Sequence, residues 1–500
     1  MKKFKKISNQ VLFIIFLSCA NILLSIYYYL KTYLGDISFF QLYYHIKNGG
    51  SGSLSTSGSF YIVLSGIVYC IPFLIILIII ETIIFTRWKK YKISIKFKKT
   101  EKKLNILPTI FSKYRTTIVV IMTIISLYIL FDHIHYKDYL DTQNTTTNIY
   151  EKYYIDTNNV DITFNEKKRN LIYIYLESME SSLFSKKNNG YFKKSRIPGL
   201  EKLAEENINF SGNSGLGGMY DVDGYTISAL FSSTSSTPIM TDCKNECYKN
   251  KEILSKVRTI GDVLTDEGYN VEYIQGTDAT FAGFKKYLTT HSKQYILDYN
   301  EAIKKKYVEK DYYKWWGIED KKLFEISKKE ITNLSKNKEP FAVTIVTMDT
   351  HFPDGYLDDS CKEEFDDKMS NAYLCSSNKV SNLVKWIKKQ DFYNDTMIVI
   401  TGDHKTMQKQ YISNPSYDRS VYNVFINSKK NNVSSKNRII TNFDIYPTVL
   451  SGLGADIKGD RIGFGTNLFS NSKTIPEIIG LDTFIKEKIK PSKYYDKYIK

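Results

Sequence analysis

Acidic and imidazole side chains follow two apolar segments of the chain, at the points where those segments end. Residues 171–176 lead into Glu177, and residues 397–400 lead through a Thr-Gly step into Asp403 and His404. Apolar runs of this length are typical of strands covered on both faces of a parallel sheet. Ligands of such sheets bind at the carboxyl ends of the strands. Two carboxylates and one imidazole at that edge suit a divalent cation.

A hydroxyl candidate lies in the segment Gly-Tyr-Thr-Ile-Ser-Ala at 224–229. A glycine-rich stretch at 215–218 precedes it, and together they predict a loop that leads into a helix with Thr226 near its N-terminus. Helix N-termini stabilise anions and developing negative charge. A threonine hydroxyl there, in contact with a divalent cation, can ionise and attack phosphorus. The alternative is a threonine that simply caps the helix.

Three histidines lie in the predicted globular part of the chain, at positions 291, 351 and 404. This small number favours one metal ion over a two-zinc phosphatase site. His351 follows another strand candidate, 341–346, and can donate to a phosphate oxygen or protonate a leaving group. Its alternative is a loop histidine satisfied by the backbone. His291 has no comparable context and is expected to be structural.

Strand and helix candidates alternate after residue 170, including a helix candidate at 252–267 and another at 380–389. This order predicts an α/β domain with a mainly parallel sheet sandwiched by helices. We expect the catalytic domain to span 169–475, after a polar linker at 139–168 and before a C-terminal tail at 476–500.

Three apolar segments, 7–30, 60–86 and 116–131, predict a transmembrane region of about three helices within residues 1–138. Between the second and third segments, residues 87–115 hold eleven Lys/Arg and one Glu. The positive-inside rule then places the N-terminus and this loop in the cytoplasm, and the chain after the third segment outside. A cleaved signal peptide is the alternative for the first segment, but no Ala-x-Ala site follows it.

The formal net charge of +16 is concentrated in the predicted membrane region. Residues 1–138 have a net charge of +13, and the other 362 residues have +3. No basic-aromatic groove or zinc-finger spacing accompanies this charge, so we expect membrane lipid and no nucleic acid among the partners.

Four cysteines of the predicted external domain form two pairs that are close in sequence, Cys243 with Cys247 and Cys361 with Cys375. Paired cysteines in an exported domain are usually disulfides. The alternative, a zinc site made only of cysteines, needs all four side chains together.

Several segments, taken together and in this order, resemble motifs of the sulfatase-fold phosphoglycerol transferases. That family includes the lipoteichoic acid synthases and the transferases that act on osmoregulated periplasmic glucans, and the glucan enzymes are the closer match. The resemblance covers roughly 165–470 and implies an alkaline phosphatase/sulfatase-like fold in a bacterial cytoplasmic (inner) membrane protein with a periplasmic or extracellular catalytic domain. The matching segments are 170–177, 224–229, 275–283, 316–320, 349–355 and 401–404.

The resemblance implies that Glu177, Asp403 and His404 bind one Mn²⁺ or Mg²⁺, with Thr226 as nucleophile and fourth ligand. The implied reaction is a ping-pong transfer. Thr226 takes phosphoglycerol from the donor phosphatidylglycerol, and a hydroxyl of an envelope glycan or polymer then attacks the phosphothreonine.

Three further roles follow from the resemblance: His351 contacts the phosphate, Trp316 forms a wall beside the glycerol, and Arg461 contacts an anion. The alternatives of the same fold are a metal-dependent phosphodiesterase or other hydrolase and a phosphoethanolamine transferase, which typically has a His-richer zinc site. A sulfatase needs Cys or Ser within Cys/Ser-x-Pro-x-Arg, and the segment around Thr226 has neither Pro nor Arg there. A membrane receptor with an inactive fold is disfavoured by the intact candidate residues.

Overall fold

Two compact units make up the chain in the computed structural model, one of residues 1–39 and 57–140 and the other of residues 40–56 and 141–500. The structure describes residues 2–34, 37–48, 66, 68, 70–81, 83, 93–97, 100–104, 114–164, 167–212, 215–240, 252–352, 354–408, 411–412, 414, 417–430 and 435–500.

Helices dominate the described part of the N-terminal region. Two stretches have the length and apolar composition to cross a bilayer, Asn9–Thr32 and Arg115–His133, and they correspond to the first and third predicted segments. The second predicted segment overlaps a shorter apolar helix, Cys70–Glu81, and residues 60–65 and 84–86 lie outside the described residues. The elements here are α1 Lys2–Tyr29, a π-helical turn Leu30–Leu34, α2 Phe39–Asn48, α3 Cys70–Glu81, the hairpin β1 Ile93–Phe97 and β2 Thr100–Leu104, α4 Arg115–His133 and α5 Tyr136–Gln143.

A seven-stranded sheet forms the centre of the second unit, with strand order β5-β10-β9-β4-β8-β6-β7. The five strands from β9 to β7 are parallel, and β10 and β5 extend the sheet by antiparallel pairs. The mainly parallel α/β sheet predicted from the sequence is therefore confirmed. Its strands are β4 Asn170–Leu176, β5 Gly218–Met219, β6 Asn270–Gln275, β7 Tyr295–Leu297, β8 Phe341–Val346, β9 Thr396–Gly402 and β10 Val421–Ile426.

Helices cover both faces of this sheet, which explains the continuous apolar character of β4 and β9. On β4, Tyr173 and Tyr175 face one hydrophobic cluster, whereas Ile172 and Ile174 face the other. Helices α8 Thr226–Ser235, α9 Ile260–Asp266, α10 Phe284–Thr290 and α14 Ile445–Leu453 contribute to the first cluster. Helices α7 Pro198–Glu206, α11 Tyr299–Lys304, α12 Asp320–Leu334 and α13 Lys368–Ile387 contribute to the second.

Residues 141–164 and 167–168 of the segment expected to be a linker, and residues 476–500 of the expected tail, belong to the second unit. In the former, Tyr150 is completely buried and strand Ile162–Phe164 pairs with strand Ala455–Ile457; in the latter, Phe484 is completely buried. The reason is that a few aromatic side chains join the core from segments that are polar on average. These elements are α6 Ile149–Tyr153, β3 Ile162–Phe164, β11 Ala455–Ile457, the pair β12 Arg461–Ile462 and β13 Gly465–Thr466, α15 Ile475–Ile479, α16 Leu481–Lys488 and α17 Lys493–Tyr498.

A disulfide joins Cys361 to Cys375 and so connects the loop after β8 to helix α13. The other predicted pair, Cys243 with Cys247, lies outside the described residues.

Candidate metal centre and nucleophile

Neighbouring strands place the acidic and imidazole candidates at one edge of the sheet. Strands β4 and β9 are parallel, with Leu176 in register with Gly402, so the residues that follow each strand emerge side by side. The Asp403 amide donates to the Leu176 carbonyl at 3.0 Å, which extends this pairing beyond the strand. Glu177 and Asp403 therefore begin their loops next to each other, at the carboxyl edge where ligands of parallel sheets bind.

Ligand atoms of Glu177, Asp403 and His404 all lie within 4.8 Å of one another. His404 Nε2 is 3.4 Å from Asp403 Oδ2 and 3.6 Å from Glu177 Oε1. All three residues are at most 2% exposed. Two carboxylates and one imidazole converge in a space from which water is largely excluded.

Thr226 brings a hydroxyl to the same point. Its Oγ1 lies 3.3 Å from Glu177 Oε2 and 3.3 Å from His404 Nε2. Thr226 is the first residue of α8, and Tyr225 is the N-cap, with no side chain capping the helix. The threonine hydroxyl is therefore directed at the carboxylate and imidazole instead of capping its own helix, and it lies where the helix dipole favours negative charge.

The backbone fixes which nitrogen of His404 meets the cluster. Nδ1 lies 2.8 Å from the Lys405 carbonyl, which can only accept a hydrogen bond, so Nδ1 bears a proton. Nε2 is then the nitrogen directed at Thr226, Glu177 and Asp403. A carbonyl that holds the outer nitrogen of an imidazole in this way is the usual support of a metal-binding histidine.

Burial and mutual proximity shift the pKa values of these groups. Burial, with the charge of Glu177, raises the pKa of Asp403 to about 8. Burial alone would lower the pKa of His404, but the carboxylates of Asp403 and Glu177 outweigh it and raise the pKa to about 9. Asp403 Oδ2 is buried and accepts no hydrogen bond from the described residues. An acceptor atom in this position fits a cation bound between these groups.

Ser178 belongs to this site and was not foreseen from the sequence. Its amide donates to Asp403 Oδ1 at 2.7 Å, and its hydroxyl donates to Glu177 Oε1 at 2.7 Å. The residue has a left-handed φ of 51°, which is uncommon for a residue with a side chain. Ser178 therefore orients both carboxylates. The only sequence signal was its place directly after Glu177.

His351 and Trp316 lie against each other, with ring centroids 4.8 Å apart at an angle of 61°. His351 Nδ1 is 2.9 Å from the Phe352 carbonyl, so the proton on Nδ1 is donated there and Nε2 is left for other partners. Burial lowers the pKa of His351, although the charge of Glu177 opposes this effect. The indole nitrogen of Trp316 is buried without a hydrogen bond in the described part of the chain.

Arg461, the expected anion contact, binds a backbone carbonyl. It begins the short strand β12, and its guanidinium donates to the Tyr153 carbonyl at 2.7 Å. No contact in the described residues joins it to the cluster of Thr226 and His404. The sequence around Arg461, with Gly459 and Gly463 on either side, did not indicate that the Tyr153 carbonyl would be its partner.

The sulfatase family model matches residues 169–455, more than half of the chain, and the chain therefore belongs to the sulfatase family. This membership confirms the expected alkaline phosphatase/sulfatase-like fold class.

The relatives include phosphoglycerol transferases, as the motifs indicated. Phosphoglycerol transferase I of Xanthomonas campestris pv. campestris (strain B100) is 30% identical over 254 residues, which are 48% of this chain and 34% of that protein. Phosphoglycerol transferase I of Shigella flexneri is 28% identical over 351 residues, 65% of this chain and 44% of that protein. The chain thus spans less than half the length of these relatives. Among solved structures, the lipoteichoic acid synthase LtaP from Listeria monocytogenes aligns with a TM-score of 0.49 and 18% identity, over 62% of this chain and 79% of that one.

Proposed function

We propose that this protein is a membrane-anchored, metal-dependent phosphotransferase that moves phosphoglycerol from phosphatidylglycerol to a hydroxyl of an envelope glycan or polymer. One observation supports this proposal above the others: the Thr226 hydroxyl lies 3.3 Å from both Glu177 and His404 at the start of a helix. The similarity to proteins named phosphoglycerol transferase I supports the choice of the transferred group.

Glu177, Asp403, His404 and Thr226 would hold one divalent cation, and the oxygen-rich set of donors favours Mn²⁺ or Mg²⁺. A bound cation supplies positive charge that lowers the pKa of the threonine hydroxyl and neutralises the transferring phosphoryl group. The buried acceptor atom Asp403 Oδ2 and the orientation of His404 Nε2 support such a site.

In the first half of the reaction, Thr226 Oγ1 forms a bond to phosphorus and the bond between phosphorus and the diacylglycerol oxygen breaks. The threonine proton passes to water, and diacylglycerol leaves after its oxygen takes up one proton, either from water or from a protonated His351. In this proposal His351 Nε2 would take up a proton and then contact the phosphate or pass that proton to the leaving oxygen, because Nδ1 is occupied by the Phe352 carbonyl. Trp316 packs against His351 and would form a wall beside the glycerol.

In the second half, an acceptor hydroxyl attacks the phosphothreonine, and the bond between phosphorus and Thr226 Oγ1 breaks. The acceptor proton leaves as the new phosphodiester forms, and the threonine hydroxyl is restored. A lipid donor suits a chain whose helices α1 and α4 have the length and composition of membrane spans. We propose that these helices anchor the catalytic unit outside the cytoplasm, as the distribution of basic residues predicts.

The test uses the full chain in vesicles that contain phosphatidylglycerol, with Mn²⁺ present. We expect release of diacylglycerol and a glycerophosphoryl adduct on the peptide that contains Thr226, detected by mass spectrometry. T226A should lose both signals, whereas T289A, which changes an exposed threonine on α10, should keep them. Turnover by T226A at the wild-type rate would exclude Thr226 as the nucleophile.

Two further arms separate the alternatives of the same fold. Vesicles of phosphatidylethanolamine in place of phosphatidylglycerol test for a phosphoethanolamine transferase. If diacylglycerol is released and all of the transferred group appears as free glycerol phosphate, with none on an added glycan acceptor, the protein would be a hydrolase in place of a transferase.

A further inference from the structure

Helix α16, near the C-terminus, ends in a buried lysine that lies next to the loop that precedes Thr226. Lys488 is 4% exposed, and its Nζ lies 3.7 Å from Asp223 Oδ1. Its carbonyl accepts a hydrogen bond of 2.5 Å from the hydroxyl of the fully buried Tyr150. Both the backbone and the ammonium group of this lysine are therefore fixed inside the catalytic unit.

Asp223, the partner of Lys488, binds the first two turns of the helix that Thr226 begins. Its Oδ1 accepts hydrogen bonds from the hydroxyls of Ser228 at 3.1 Å and Ser232 at 2.9 Å. Both serines lie on α8. The carboxylate thus connects the loop before the helix to the helix itself.

Asp221 connects the same loop to the segment that follows β9 and contains the metal candidates Asp403 and His404. Its Oδ1 accepts from the amides of Asp223 at 3.1 Å and Gly224 at 2.8 Å. Its Oδ2 accepts from the amide of Lys405 at 3.1 Å, directly after His404. The loop from 221 to 225 is therefore held on one side by α8 and on the other side by the backbone that follows β9.

A charge of opposite sign is needed to keep Asp223 in this position. Its side chain is completely buried, and its Oδ2 accepts no hydrogen bond from the described residues. A buried carboxylate without a partner is costly and either takes up a proton or moves to solvent. The Lys488 ammonium group supplies the compensating charge, and the Phe443 ring, whose centroid is 5.7 Å from Nζ, packs beside it.

We propose that Lys488 is a positioning residue for the nucleophile. It holds Asp223 in place, Asp223 holds the first two turns of α8, and the Thr226 hydroxyl is thereby kept between Glu177 and His404. Lys488 lies 33 positions beyond residue 455, where the family match ends. The C-terminal helices are thus part of the support of the site. This inference rests on the proposed function and extends it.

The first experiment compares K488M with K486M in the full chain, in vesicles of phosphatidylglycerol. Lys486 lies on the same helix but is exposed, so it controls for the loss of one positive charge from α16. We expect kcat to fall about 10-fold to 100-fold in K488M, with little change in KM, because a misplaced nucleophile slows the reaction without removing lipid contacts. K486M should behave as the wild type. Equal turnover in the two variants would overturn the inference.

A double-mutant cycle keeps the test decisive if K488M folds poorly. D223N and K488M each leave one buried group without its partner, whereas the double variant removes both charges. If the two residues act through each other, the double variant should turn over no more slowly than K488M alone. Independent roles would instead multiply the two losses, and that result would contradict the proposal.

Amide hydrogen exchange supplies a measurement that needs no substrate. Residues 221–232 should exchange at least about 10-fold faster in K488M than in K486M, because opening of the loop and of α8 becomes easier. A wild-type chain that releases no diacylglycerol would reject the proposed function, and the exchange result would still decide the role of Lys488. Unchanged exchange in K488M would reject that role.

Discussion

Lys379 Nζ lies 2.7 Å from Asp349 Oδ2, and the same ammonium group binds the carboxylate of Asp358 at 2.5 Å. Asp349 and Asp358 flank the segment that contains His351, and Lys379 lies on α13. Burial would lower the pKa of this lysine, but the acidic groups around it, including Asp320, raise it, so the ammonium group stays charged. Lys379 therefore binds both ends of the segment that contains His351 and connects them to α13.

Replacement of Lys379 by methionine should loosen this segment and destabilise the second unit. Removal of one partner from a buried ion pair costs about 3–5 kcal/mol, because the remaining carboxylates lose their compensating charge. We expect a lower urea midpoint by tryptophan fluorescence, which Trp315, Trp316 and Trp386 report from this unit. The control is K385M, an exposed lysine on the same helix, which should leave the midpoint unchanged.

The disulfide between Cys361 and Cys375 holds the chain just after that segment against the same helix. It closes a short loop, with a sequence separation of 14, and such a loop contributes about 3 kcal/mol when the cross-link restricts the unfolded chain. A reductant should therefore lower the melting temperature of the wild type. The C361S/C375S variant should start from the lower value. If reductant lowered the melting temperature of C361S/C375S as much as that of the wild type, the destabilisation would come from other cysteines.

The sequence predicted the central strands because their environment is simple. Apolar runs such as 171–176 and 397–400 are long, and burial on both faces leaves a clear signal. The prediction of a helix at 252–267 was less accurate. The observed helix begins only at Ile260, because Thr259 and Asp262 form a capping box there. The antiparallel addition of β10 and β5 depends on long-range pairing, which no local pattern reveals.

The candidate metal ligands at the strand ends could be inferred from the sequence, but the residues that hold the candidate nucleophile in place could not. Glu177 and His404 each follow a strand, so their meeting point could be inferred from parallel pairing. Asp223 and Lys488 are 265 positions apart, and neither has a neighbour in sequence that indicates the other. Their roles depend on how the C-terminal helices pack, and this packing relies on a few aromatic residues such as Phe484.

Glu272 on β6 should make stability depend on pH. Burial, together with the nearby charge of Glu330, raises its pKa to about 7, above the ordinary value near 4.5. The folded chain therefore keeps a proton that the unfolded chain releases, so this stabilising contribution is present below about pH 4.5 and is lost as the pH rises through about 7.

We expect E272Q to be more stable than the wild type at pH 8 by about 2 kcal/mol, after allowance for partial solvent screening, and nearly equal to it at pH 4.5. Urea midpoints measured across this range check the prediction. The exposed E363Q serves as the control and should follow the wild type at every pH. A constant difference between E272Q and the wild type would show that Glu272 does not titrate in this window.

Ser178 should influence metal binding although it is not itself a proposed ligand. Its amide and hydroxyl orient Asp403 and Glu177, each through a hydrogen bond of 2.7 Å. Loss of such a supporting group typically weakens metal binding about 10-fold to 100-fold. We expect S178A, which keeps the amide but loses the hydroxyl, to weaken Mn²⁺ binding about 10-fold in calorimetric titrations. D403N, which removes a charged ligand, should weaken binding more than S178A.

The matched control for the metal measurement is D391N, which changes an exposed aspartate before β9. Its affinity for Mn²⁺ should equal that of the wild type, because surface acidic groups without converging partners bind cations weakly. If D403N and D391N bound Mn²⁺ equally well, the cation would not lie between Glu177, Asp403 and His404. We expect D403N to bind Mn²⁺ most weakly, S178A with intermediate affinity and D391N like the wild type. This order follows from the distances in the site and does not depend on the proposed lipid donor or acceptor.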